Sequence, residues 1–79
     1  MREKLAALSH RIWAKWMMYL FAQCTMNEDG TATIPKDKVE RWQRQMNTDY
    51  PDLSEKEKDS DRHQADLILG LIDGIHKGL

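Results

Sequence analysis

The chain has little that would tie it together covalently or seat it in a membrane. Cys24 is its only cysteine, so no internal disulfide can form, and without a CxxC or Cys/His cluster zinc has no ligand set. No run approaches the ~18 apolar residues that a membrane span needs. The opening M-R-E-K-L is charged and leads into no apolar segment with a cleavage site, so it does not read as a signal peptide. A basic excess is also missing: 12 Lys and Arg stand against 13 Asp and Glu. Coating a duplex with protein asks for surplus cation, so nucleic-acid binding is disfavoured. Repeats and low-complexity segments are absent. What remains is one domain of 79 residues, expected in the cytoplasm. A chain this short buries only a modest core and gains from self-association.

What is present is helical periodicity. Arg2 to Gln23 form the strongest candidate helix. Leu5, Leu8, Ile12, Trp16 and Tyr19 make one stripe; Ala6, His10, Trp13, Met17, Leu20 and Cys24 make a second beside it, with Lys4, Arg11, Lys15 and Met18 outside. Two readings fit so wide an apolar surface: a central helix touched on several sides, or a homo-oligomer interface through the first helix. T-M-N-E-D-G-T then carries the Asp29-Gly30 turn signal, and T-A-T-I can extend, so a small hairpin or isolated extended piece is expected there. Pro35 suits the first turn of a second helix, with Val39, Trp42 and Met46 as its apolar side and Lys36, Lys38, Arg41, Arg44 and Gln45 solvated. Asn47 ends it, and Pro51 turns Tyr50 out of helical geometry. The fold expectation is therefore mostly α, three helices with a short extended or hairpin segment between the first and second.

The third helix, about Glu55 to His76, draws the most chemistry. Ser54 and Glu57 have the spacing of a reciprocal N-terminal cap. Ala65, Ile68, Leu69, Ile72 and Ile75 recur at helical spacing and predict a buried stripe. Followed backwards, that stripe meets Asp61, Arg62, Lys58 and Ser54, so charged groups continue an inward face. Gly70, Gly74 and Gly78 share one side, which permits a close neighbour but weakens the helix, and at Gly78 reads as fraying.

The functional reading sets His10 and Trp13 as one wall of a site and Lys58, Asp61 and Arg62 as the other. An indole face with a guanidinium and an ammonium suits a flat anionic ligand, and the free N–H groups after Ser54 favour its phosphate. The plainer reading makes His10 a core histidine and pairs Lys58 and Arg62 with nearby acids such as Glu55 or Asp66. Catalysis is poorly supported: His63 and His76 have no nucleophile at a telling spacing, and Cys24 has no evident base. No cofactor is implied. Asp61 with Glu57 is better explained by the helix dipole than by acid–base work. The second helix, K-D-K-V-E-R-W-Q-R-Q-M-N, has side chains that can read base edges, but Asp37 and Glu40 interrupt its basic side.

Two stretches, L-A-A-L-S-H-R-I-W-A and Y-P-D-L-S-E-K-E-K-D-S-D-R-H-Q-A, resemble the RyR domain, the repeat of ryanodine receptors that also stands alone in bacteria and phages. His10, Trp13 and Ala14 match its His-x-x-Trp-Ala core. Tyr50, Leu53, Ser54, Glu57, Lys58, Asp61, Arg62 and Ala65 match its second motif. The family's Gly-Trp-x-Tyr-Gly segment is replaced by I-P-K-D-K-V-E-R-W-Q-R-Q-M. The resemblance implies a non-enzymatic module for a nucleotide-type small molecule and adds Tyr50 to the site. In a phage it implies a sponge for a cyclic-nucleotide immune signal in the bacterial host's cytoplasm. A structural or protein-partner module is the alternative, and a DNA-binding regulator the lesser one.

Overall fold

In the computed structural model, which describes residues 1–77, helix α1 spans Arg2–Gln23, strands β1 (Thr25–Met26) and β2 (Ala32–Thr33) form a hairpin, and helices α2 (Lys36–Met46) and α3 (Glu55–Lys77) follow. Three helices with an antiparallel two-strand hairpin between the first and second are thus the architecture expected above. Gly78, including the fraying expected there, lies outside the described residues. Among the described residues no helix is long and apolar enough to cross a membrane.

The hairpin is held by its own polar side chains. Thr25 pairs with Thr33 and Met26 with Ala32. Gly30 takes φ +88° in the turn, a left-handed conformation that L side chains resist. The Asp29 carboxylate accepts from the Thr31 backbone N–H at 3.0 Å and from its hydroxyl at 2.6 Å, which lowers the Asp29 pKa. The Asn27 amide donates to the hydroxyls of Thr31 and Thr33. With no buried side chain in either strand, local hydrogen bonding is what shapes this segment.

Pro35 sits one residue earlier in its helix than expected, at the N-cap of α2, where its carbonyl accepts from the N–H groups of Lys38 and Val39. Asn47 ends the helix as anticipated, with its side chain bonded back to the Gln43 carbonyl at 2.9 Å. The break before Pro51 falls elsewhere. Asp49 takes the extended geometry, and Tyr50–Asp52 wind into a short 3₁₀ turn with the proline in it. A first helical turn has N–H groups without intrahelical partners, so a proline there forfeits no bond.

Two expectations about burial are corrected. On α2, Met46 is exposed, whereas Arg41 and Gln45, assigned to the solvated side, are half-buried. On α3, the stripe Ala65, Ile68, Leu69 and Ile72 is not buried: Ala65 is exposed, Ile68 is 39 % and Leu69 62 % exposed, and only Ile72 is half-covered. The side chain of Ile75, its last member, lies outside the described part. The helix instead turns Glu57, Ser60, Gln64 and Leu67 toward α1 and α2, about 100° round from the apolar line. Leu8 is the one buried apolar residue among those described. The molecule is splayed, with principal extents of 51, 34 and 16 Å and a radius of gyration of 16.2 Å. A packed chain of this length has a radius near 12 Å.

Candidate ligand cleft

The corner where the helices meet is assembled from local bonds. Ser54 caps α3: its hydroxyl accepts from the Glu57 N–H at 3.2 Å and donates to the Glu57 carboxylate at 2.7 Å. That carboxylate also accepts from the Ser54 backbone N–H at 3.4 Å, which completes the reciprocal cap. Arg44 of α2 then reaches across 13 residues to place its guanidinium 3.2 Å from Glu57. Glu57 is 6 % exposed. Its pKa is nonetheless lowered, first by the Ser54 hydroxyl bond, with the Ser54 backbone bond and Arg44 adding to it against desolvation.

Beside this corner three rings join α1 to α2. Trp16 and Tyr19 stack at 5.3 Å, and Trp42 meets both edge-on, at 5.6 and 6.4 Å. Such arrangements add to what their buried area supplies. They line a cleft of about 590 Å³ between α1, α2 and α3, within the range of small-molecule sites. Lys15, Arg41, Lys56 and His63 stand around it, with Glu57 and Asp59 as the acids. Both acids are engaged: Glu57 by Ser54 and Arg44, Asp59 by Arg62 at 2.8 Å. Among the described residues Lys15, Arg41 and Lys56 have no acidic partner. A second groove, about 400 Å³, shares Trp16, Trp42 and Gln45 with this cleft and is lined further by Tyr50, Leu53 and Asp61.

The residues singled out from sequence divide into three groups. Tyr50 and Asp61 come together in the smaller groove, and Lys58 lies over the Tyr50 ring at 5.9 Å with its side chain only 17 % exposed. Ser54 is spent on the cap. Arg62 is clamped by Asp59 and by Glu55 at 3.0 Å, which raises its pKa further, Asp59 contributing most. Glu55 also holds Lys58, at 3.6 Å, and its own pKa is lowered, chiefly by Arg62.

His10 and Trp13 contact each other, with ring centroids 5.8 Å apart, and line neither groove. Trp13 is 56 % exposed. The cause is rotation about the helix: they lie roughly 160° and 100° round α1 from the stripe that carries Ile12, Trp16 and Tyr19. Trp16, Tyr19 and Trp42 were legible as apolar helix positions but not as a site. Lys15 and Arg41 border those stripes, and nothing in their spacing marks them off from solvated cations.

Among the described residues no group of three or more His, Cys, Asp or Glu is placed to hold a metal ion. No protein-family model, curated protein or solved structure matches the chain.

Proposed function

We propose that this protein is a non-enzymatic binding module for a phosphate-bearing nucleotide-type ligand, seated in the cleft of Trp16, Tyr19 and Trp42. The observation that carries the reading is the charge balance around those rings. The acids at the rim are neutralised by their own partners, while Lys15, Arg41 and Lys56 have no acidic partner among the described residues. A flat base stacks on indole, and a phosphate takes charge-assisted bonds from the cations. Arg41 is the sharpest of the three because it is half-buried and pre-positioned beside Trp42.

The RyR-like residues support the same class of ligand from a different direction: Tyr50 and Asp61 line the neighbouring groove, and Lys58 lies over the Tyr50 ring. In its finer form the proposal is a phage sponge that sequesters a cyclic-nucleotide signal of the host. Calorimetry against cyclic and linear nucleotides, with inorganic phosphate alongside, tests it. Binding is expected for nucleotides, and Arg41→Ala weakens it roughly 10- to 100-fold, the worth of one hydrogen bond to a charged group. Arg62→Ala, whose guanidinium is already occupied by two carboxylates, has the smaller effect. Flat traces across the panel with folded protein would overturn the reading.

A further inference from the structure

We infer that a second copy of this chain covers the outward apolar line of α3, so that the folded protein is a homo-oligomer. The inference is independent of any ligand. The chain exposes 6531 Å², whereas a compact monomer of 9.3 kDa exposes about 5,000 Å². The excess is on the order of 1,500 Å². A stable interface of standard size takes about 800 Å² from each partner, and obligate homodimers take more. The surplus thus matches an extensive interface and exceeds what scattered surface residues leave bare.

Its location follows from α3. Ala65, Ile68, Leu69 and Ile72 recur at the spacing of a core-facing stripe, yet none of the described residues covers most of it. A periodic stripe on a 23-residue helix has to meet another apolar surface. Exposed Trp13 and Phe21 on α1 offer apolar surface of the same kind. A second copy is the occupant because one buried apolar side chain, Leu8, with half-buried neighbours such as Leu5, Ile12 and Trp42, is a thin core against the entropy of ordering the described 77 residues. A sister chain, present at equal concentration wherever this one is made, supplies the missing burial. The net charge of −1 sets up little repulsion between copies, and closed symmetric pairs are the commonest outcome of self-complementary faces.

Light scattering on the full chain, from low to high micromolar, tests this together with thermal melting followed by circular dichroism. The expected result is a mass of at least twice 9.3 kDa and a melting temperature that rises with concentration. Leu69→Lys alters a side chain that its own chain leaves mostly bare, so a monomer would tolerate it. In the oligomer it lowers both the mass and the melting temperature. A folded wild-type monomer would overturn the inference. So would an unfolded wild-type monomer, which would assign the stripe to a different protein, or a Leu69→Lys variant that keeps the wild-type mass.

Discussion

The two halves of α3 are built on opposite terms. Its first turns, around Ser54 and Glu57, have both bonds of the reciprocal cap made and an arginine delivered from α2. Its later turns, from Ala65 to Ile72, carry an apolar stripe that the described residues leave mostly exposed. The first half is specified by bonds between residues near in sequence, which form whenever the helix starts. The second is specified only by burial, and the described residues leave most of that stripe exposed. Local polar order at the corner and apolar order at the far end are thus separable, and substitutions can weaken one without the other.

The largest effect is expected at the join between α1 and α2. Trp42→Ala removes both edge-on ring contacts and is expected to cost about 2–3 kcal/mol, less than a fully buried ring because Trp42 is half-covered. Chemical denaturation checks it, and nucleotide binding should be lost with it. Leu69→Lys comes next: it leaves the corner whole while disturbing assembly. A variant that instead destabilised an isolated monomer would erase the contrast between the two halves.

Ser54→Ala is expected to cost about 1 kcal/mol through loss of the cap, again by denaturation. The same corner sets a pH dependence. The Glu57 pKa is lowered on folding, so its contribution is complete above the ordinary glutamate value of 4.5 and fades as pH falls through the folded-state value. Glu57→Gln should flatten this part of the acid-side stability curve, read as melting temperature between pH 3 and 6 (roughly the span that brackets a carboxyl titration). The smallest effect is at Gly70, where an added Cβ would meet nothing within 4 Å. Gly70→Ala should raise stability by up to about 1 kcal/mol through helix propensity alone. A loss would mean that a neighbouring helix packs on that side.

The sequence by itself determined the elements and most of their boundaries: α1 from its periodicity, the hairpin turn from Asp29-Gly30, the end of α2 at Asn47, and the reciprocal cap of Ser54 and Glu57. Each depends on interactions within a few residues, which spacing records directly. Tertiary structure alone decided which stripe is covered. It turned Trp16 and Tyr19 toward Trp42, left His10 and Trp13 outside the grooves, brought Arg44 to Glu57 and kept the α3 stripe bare. The physical reason is that periodicity reports how apolar residues line up along a helix but not which neighbour faces them. In this molecule that depends on long-range geometry.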